Sequence, residues 1–213
     1  MITATALRTQ LMADGLNRKE LNADPFHQFQ TWYQQTQSTD IAEPTAMCLA
    51  TVDDNGQPWQ RMVLLKLYDE SGFVFFTNYS SRKARHISVN PHVCLLFPWH
   101  ALGRQVKITG TAAKIPTAES IKYFSTRARG SQLGAWASPQ SQVIKNRAML
   151  DTALNQMKDK FLHGEVPLPD FWGGYRVTPD TFEFWQARES RLHDRFMYTK
   201  AQEGSWQLER LAP

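Results

Sequence analysis

The segment Arg191-Leu192-His193-Asp194-Arg195, just after Phe184-Trp185-Gln186, concentrates side chains suited to holding a charged aromatic ligand. If it is extended, residues two apart share a face, so Arg191, His193 and Arg195 would project together. Like charges side by side on a sheet repel. Such a row calls for an anion or an electron-rich ring, unless it is simply a solvated strand face. Arg61-Met62-Val63-Leu64-Leu65-Lys66 carries a cation at either end. Five is an odd interval, so a regular strand places Arg61 and Lys66 on opposite faces. Two separate anion sites follow, the alternative being strand ends that reach solvent.

Ser80-Ser81-Arg82-Lys83 falls at the start of a predicted helix. Hydroxyls, free backbone N–H groups and the positive end of the helix dipole meet two cationic side chains there, which suits a phosphate better than water. Tyr123 and Arg127 are four apart on another predicted helix, with Ser131 just past a Gly130 stop. Phenol, guanidinium and hydroxyl could form a phosphate cup, although such pairs also occur on ordinary helices. Gln140 and Ser141, at the first turn of the next expected helix, offer further donors. Trp185 is either a stacking platform for a planar heterocycle or a core residue. His86, His92, His100 and His163 lack ligand spacing, so no metal is expected. Neither a Gly-x-Gly-x-x-Gly nor a Gly-x4-Gly-Lys-[Ser/Thr] motif is present, which argues against a Rossmann or P-loop nucleotide site. A Gly-x-Ser-x-Gly elbow is absent as well.

The elements that must position these groups belong to an ordinary globular chain. With 42% hydrophobic and 21% charged residues, the composition excludes a disordered or fibrous protein. A length of 213 residues suits one domain, read as residues 24–213, preceded by a mobile arm over residues 1–23. No long apolar run or signal-like start is seen, so a cytoplasmic protein without a membrane partner is expected. The formal net charge of +4 fits phosphorylated small molecules and nucleic acid equally. Cys48 and Cys94 lie in apolar strand-like runs without Cys-x-x-Cys spacing, and are expected to be buried and inert.

Asp24-Pro25 supplies an N-cap and an N1 proline for a helix carrying Phe26, Phe29, Trp32 and Tyr33. Strands are predicted at 46–52 and 57–68 around an Asn55-Gly56 turn, and at 73–77. A helix over 81–90 follows, then strands at 92–99 and 104–115. Helices are expected over 117–129 and 138–163, then strands at 174–177, 181–188 and 192–199, and a last hairpin through 206–210. A sheet first with helices inserted points to an α+β barrel rather than alternating βαβ units.

Several of these segments also occur together in one known family. Arg61-Met62-Val63-Leu64-Leu65-Lys66, Phe76-Thr77-Asn78, Ser81-Arg82-Lys83, Leu96-Phe97-Pro98-Trp99, Arg104-Gln105-Val106, Tyr123-Phe124 with Arg127, Phe171-Trp172-Gly173-Gly174, Phe184-Trp185-Gln186 and Arg191 to Arg195 resemble the pyridoxine/pyridoxamine 5′-phosphate oxidases. Each motif alone is weak, but their joint order from about Asp24 to Pro213 is specific. The resemblance implies an α+β, FMN-binding split β-barrel, antiparallel and Greek-key-like, with peripheral helices. It further implies a homodimer with FMN at the interface. By position it assigns FMN to Arg61, Met62, Val63, Leu64, Leu65, Lys66, Phe76, Thr77, Arg82, Lys83, Gln105, Gln140, Ser141, Trp185 and Arg195. Of these, Arg61, Arg82, Lys83, Gln140 and Ser141 would hold the phosphate and ribityl region, while Gln105, Trp185 and Arg195 would line the isoalloxazine.

The same resemblance gives the substrate phosphate to Lys66, Tyr123, Arg127 and Ser131, with Arg8 adding a contact from the arm. Arg191 and His193 would be the catalytic pair holding the pyridine ring against the flavin. The implied reaction takes two electrons from C4′ of pyridoxine 5′-phosphate or pyridoxamine 5′-phosphate as hydride to flavin N5. Dioxygen then becomes H2O2, and the product is pyridoxal 5′-phosphate after hydrolysis of any imine. Three positions depart from the family pattern: Leu11 stands where a tyrosine often closes over the substrate, Glu43 replaces an aspartate and Phe76 replaces a tyrosine.

Two other readings stay open at this point. A split-barrel FMN reductase acting on another heterocycle would not need Lys66, Tyr123, Arg127 and Ser131 together. A non-enzymatic basic barrel could bind single-stranded nucleic acid on its Trp and Phe faces, with steep salt dependence. The motif order favours the oxidase, whose partners would be a small phosphorylated pyridine and O2 rather than nucleic acid or membrane.

Overall fold

A computed structural model describes residues 2–213. Strand β1 (Ala46–Val52) alternates half-buried and buried residues, as a strand with one face in the core must. It pairs antiparallel with β2 (Pro58–Leu64) across a turn in which Asp53 Oδ1 accepts from Asn55 N at 3.0 Å and Gln57 N at 2.9 Å. Next come β3 (Leu67–Asp69), β4 (Gly72–Asn78), β5 (His92–Phe97) and β6 (Arg104–Lys114). The long β7 (Trp172–Gln186), β8 (Asp194–Lys200) and β9 (Trp206–Leu211) complete one sheet.

The order β2-β1-β5-β6-β7-β4-β3 brings the two chain-adjacent strands β2 and β3 to opposite ends of the sheet. Residues 65 and 66 join those ends. Leu65 N donates to Thr45 O and Lys66 N to Val74 O, both at 2.9 Å, so the chain leaves one ladder and enters the other within a single peptide step. That step closes the barrel and leaves β8 and β9 as a flap on β7.

Helix α2 (Pro25–Gln37), capped by Asp24 accepting from Phe26 N at 2.7 Å, fills the barrel with aromatic side chains. The Phe29 ring lies 4.9 Å from those of Phe73 and Phe97, and the Trp32 ring 5.1 Å from that of Phe184. Helix α3 (Arg82–Val89) follows β4. Helices α4 (Thr117–Ser125), α5 (Arg129–Ala137) and α6 (Arg147–Lys160) enclose a second, smaller core around Phe124, Leu133, Val166 and Trp172. No helix among the described residues is long and apolar enough to cross a membrane.

The expected α+β barrel is present, and several boundaries differ from the sequence reading. The segment read as an arm contains helix α1 (Ala4–Asp14), whose Ala4 and Leu11 are buried against Leu102. The helix expected over 117–129 breaks in two, because the Gln132 side chain caps the Phe124 carbonyl at 2.9 Å and Gly130 falls inside α5 instead of ending a helix. The helix expected from Ser138 begins only after Asn146, whose side chain caps Met149 N at 3.2 Å. Residues 138–146 are therefore a loop. The two strands expected at 174–177 and 181–188 are one strand with a bulge where Gly110 faces Pro179, since proline cannot donate to the ladder. Cys48 and Cys94, expected to be buried, are half-buried on adjacent strands with free thiols.

Candidate functional site

Strand β4 runs into α3 at Thr77, Asn78 and Ser81, all buried, and Lys83 is buried in the first turn of the helix. Its ammonium donates to Thr77 Oγ1 at 3.0 Å and to Gln140 Oε1 at 3.2 Å. The 138–146 loop thus brings Gln140 onto the helix start. Among the described residues Lys83 forms no ion pair, and desolvation, together with nearby Arg61, pushes its pKa down to about 8. Arg61 itself donates to Thr51 Oγ1 at 2.6 Å and to Leu49 O at 3.1 Å. Burial and the field of Arg82 lower its pKa too. Arg82 stacks 4.3 Å from the Trp59 ring. Three cations therefore crowd one helix N-terminus, and among the described residues none of them forms an ion pair, an arrangement that fits a phosphate. The phosphate-bearing end of FMN meets this test.

A second anion pocket lies beside the first. The Arg127 guanidinium stacks 4.6 Å from Trp172, and its Nη1 is buried without a hydrogen-bond partner, which points to an absent acceptor. Tyr123 stacks on Phe76 with ring centroids 3.9 Å apart, so a residue assigned to the cofactor strand supports one assigned to the substrate. A cavity of about 270 Å³ is lined by Asn78, Arg127, Ser131, Gln140 and Trp172 and joins the two pockets. Lys66 is exposed at the β2–β3 junction. It is separated from Arg61 by the change of pairing partner at 65–66, so the expected strand over 57–68 is two strands and the two cations do not share one.

The third group of residues lies elsewhere. Trp185 faces Gln105 on β6 and Arg195 on β8, and its ring packs 4.6 Å from that of His193. His193 Nδ1 accepts from Arg188 N at 3.1 Å, so in the neutral ring the proton sits on Nε2, free to donate to a ligand. The expected row Arg191, His193 and Arg195 is not a strand face. Ser190 and Arg191 turn with φ of 55° and 61°, and β8 begins only at Asp194. Arg195 is already neutralised, with Nε and Nη2 at 2.9 and 2.8 Å from Glu183 Oε1. Burial raises the Glu183 pKa, but hydrogen bonds from Lys107 and Arg195 outweigh it and leave the carboxyl below its ordinary value. Arg195 therefore needs no further anion. Arg191 remains exposed.

Arg8 packs on Gly103, close to Ala187 at the same end of β7 as Trp185. Leu11 points into the small apolar cluster with Ala4 and Leu102, not toward a ligand. Met62 is exposed, Val63 and Leu64 are half-buried on β2, and Leu65 is in the core. Ser141 is exposed in the loop with φ 70°, not on the first turn of a helix. From sequence, Thr51, His86, Asn78 and Trp172 carry no assigned site role, although Asn78 and Trp172 lie within the family-like motifs. Nothing local links Thr51 to His86, 35 residues away, yet their side chains meet at 3.0 Å.

The residues divide into two sets at opposite ends of one strand. β7 has Trp172 at the end holding the anion pockets and Trp185 at the end holding His193; it is fifteen residues long. At about 3.3 Å per residue the strand path between these tryptophans is roughly 40 Å, longer than a mononucleotide.

Residues 34–161 match the family described as pyridoxamine 5′-phosphate oxidase, and residues 172–213 match the one described as pyridoxine 5′-phosphate oxidase C-terminal dimerisation region. The chain is 56% identical over 208 residues to the pyridoxine/pyridoxamine 5′-phosphate oxidase of Rippkaea orientalis, covering 98% of each. It is 54% identical over 212 residues to that of Proteus mirabilis, covering 100% of this chain and 97% of the relative. Among solved structures, PhzG from Burkholderia lata, crystallised with tetrahydrophenazine-1-carboxylic acid, superposes with a TM-score of 0.87 at 27% identity, covering 94% of this chain and 98% of PhzG. A pyridoxamine 5′-phosphate oxidase-related, FMN-binding protein from Nostoc punctiforme shares the fold, with a TM-score of 0.72 at 16% identity, covering 91% of this chain and 100% of that one.

Proposed function

The chain belongs to the pyridoxamine 5′-phosphate oxidase family, and from that premise we propose that it oxidises pyridoxine 5′-phosphate and pyridoxamine 5′-phosphate to pyridoxal 5′-phosphate. FMN is the cofactor and O2 the electron acceptor, released as H2O2. The observation that carries this reading is the pair of adjoining anion pockets, one around Lys83 and one around Arg127, neither neutralised by a carboxylate among the described residues. Two phosphorylated molecules held side by side need such a pair.

FMN, when bound, supplies the two-electron chemistry, and the protein supplies binding, orientation and charge. In this reading Arg61, Arg82, Lys83, Thr77, Gln140 and Ser141 grip its phosphate and ribityl chain, alongside the strand Met62 to Lys66 and Phe76. Gln105, Trp185 and Arg195 line its ring. Lys66, Tyr123, Arg127 and Ser131 take the substrate phosphate, and Arg8 contributes from α1. Arg191 and His193 hold the pyridine ring, with the His193 Nε2–H donating to a polar atom on it. Fixing the substrate at both ends converts a chance encounter into a positioned one, worth up to about 7–11 kcal/mol of barrier.

The dimerisation match over residues 172–213 supports a homodimer. The length of β7 supports the finer reading, in which each FMN lies at the interface between the pockets of one protomer and the Trp185–His193 end of its partner. The unpaired thiols of Cys48 and Cys94 suit a reducing, cytoplasmic compartment. The test is to add pyridoxine 5′-phosphate anaerobically to the yellow holoprotein, follow the loss of flavin absorbance, then admit air and assay H2O2 and pyridoxal 5′-phosphate. Unchanged absorbance with the substrate present would sink the proposal.

A further inference from the structure

The turn that carries Arg191 is under backbone strain. Ser190 and Arg191 are consecutive non-glycine residues in the left-handed region, with φ of 55° and 61°. Such a pair persists only where the surroundings impose it. Within the turn, Leu192 N donates to Glu189 O at 3.1 Å, and Arg188 N donates to His193 Nδ1 at 3.1 Å. These bonds close the turn without anchoring it.

The anchor comes from the other end of the sequence. Arg188 Nη1 donates to Met12 O at 2.7 Å and to Ala13 O at 2.9 Å, two carbonyls left over at the C-terminus of α1. A cation there also meets the negative end of the helix dipole. Asp194, at the far side of the turn, completes the clamp. Its Oδ2 accepts from Leu16 N at 3.0 Å and stands 3.7 Å from Arg188 Nε, while its Oδ1 accepts from Arg210 Nη1 at 2.7 Å. Arg210 Nη2 returns to Leu16 O at 3.1 Å. Gly15 makes room for all of this. With φ 74°, a Cβ on it would sit 2.5 Å from Arg188 Nη1 and 3.1 Å from Asp194 Oδ2.

We propose that Arg188 is a positioning residue, which ties the Arg191–His193 turn to the C-terminal end of α1 and so sets where those two side chains point. The inference rests on the reading of Arg191 and His193 as the groups that hold the substrate ring. It also gives α1 a task that does not require it to cover the substrate. Loss of the clamp lets the turn relax to ordinary φ values, and the ring contacts lose their prepared geometry. The FMN phosphate pocket, at the opposite end of β7, is untouched.

The experiment compares four variants of the full-length holoenzyme, Arg188→Ala, Arg188→Lys, Gly15→Ala and the double variant Gly15→Ala with Arg188→Ala. The readouts are kcat, KM for pyridoxine 5′-phosphate and FMN content, with Arg191→Ala as the reference. Arg188→Ala and Gly15→Ala should each lower kcat/KM about tenfold or more with FMN retained. Arg188→Lys should recover part of the loss, since an ammonium still reaches helix carbonyls but without the fork. The double variant should be no worse than the poorer single one. Additive losses, wild-type kcat/KM in Arg188→Ala beside a disabled Arg191→Ala, or a parallel loss of FMN would each overturn the positioning role. Wild-type activity in Arg191→Ala would instead overturn the underlying assignment.

Discussion

The Lys83 ammonium lies 3.0 Å from the Thr77 hydroxyl, a contact made between a strand end and the first turn of the helix that follows it. Thr77 Oγ1 lies 3.0 Å from Gln140 Oε1 as well, so the hydroxyl is shared between a buried cation and a loop far along the chain. An ammonium so placed, with neutral oxygens for company and Arg61 nearby, is poised for an anion.

That placement has a pH signature. The folded pKa of Lys83, about 8, is depressed from 10.5, so between those values the unfolded chain binds more protons than the folded apoprotein. Apoprotein stability should therefore rise as pH climbs from about 8 to about 10.5, by on the order of 3 kcal/mol, the full penalty being present below pH 8. FMN, by supplying the missing anion, should flatten the slope, and Lys83→Met should remove the rise between about pH 8 and 9 while weakening FMN binding, Arg104 being lowered to about 9 by burial and contributing above that. Chemical denaturation of the apoprotein across this range reads it directly. A slope of the opposite sign would refute the picture of an unpaired buried cation.

Arg127 carries a buried Nη1 that no group of the described chain satisfies. Arg127→Ala should raise KM for pyridoxine 5′-phosphate at least tenfold, because a charge-assisted bond to a phosphate is worth roughly 1.5–3 kcal/mol. FMN content should hold, since the Lys83 pocket is separate. Equal losses of both ligands would show that one anion, not two, occupies this region.

Arg191→Ala should keep FMN bound and lose about two orders of magnitude in kcat/KM, the scale expected when a reacting ring is no longer held in register. Steady-state kinetics with flavin absorbance as the occupancy check decides it. An unaltered kcat/KM would remove Arg191 from the site.

Glu183 is buried between Lys107 and Arg195. Glu183→Gln leaves both cations short of a counter-charge and should cost about 2–4 kcal/mol at neutral pH. Because the folded pKa of Glu183 is lowered from 4.5, its contribution is present above that value and fades as pH falls through the lower folded one. The Tm gap between the variant and the wild type should thus narrow on acidification, and a gap independent of pH would count against the ion pair as its source.

Much of the chemistry was legible along the chain. Asp24-Pro25, Asn55-Gly56 and Ser81 mark α2, the first hairpin and α3 because caps and turns are decided by neighbours within a few residues. The i, i+4 relation of Tyr123 and Arg127 survives for the same reason, although α4 stops at Ser125. The motif order was enough for the family, the fold and the cofactor.

Tertiary structure decided which cations are free. Arg195 looks like Arg61 in sequence, yet register places it beside Glu183, whereas Lys83 meets only hydroxyl and amide oxygens. It also decided that residues 190 and 191 form a strained turn held by α1, and that the two sets of candidate residues stand at opposite ends of β7. Local pattern specifies faces and caps through contacts three or four residues apart. The partners of a charge are chosen by sheet register and loop closure, which bring together residues up to 194 positions apart and leave no trace in any short window of sequence.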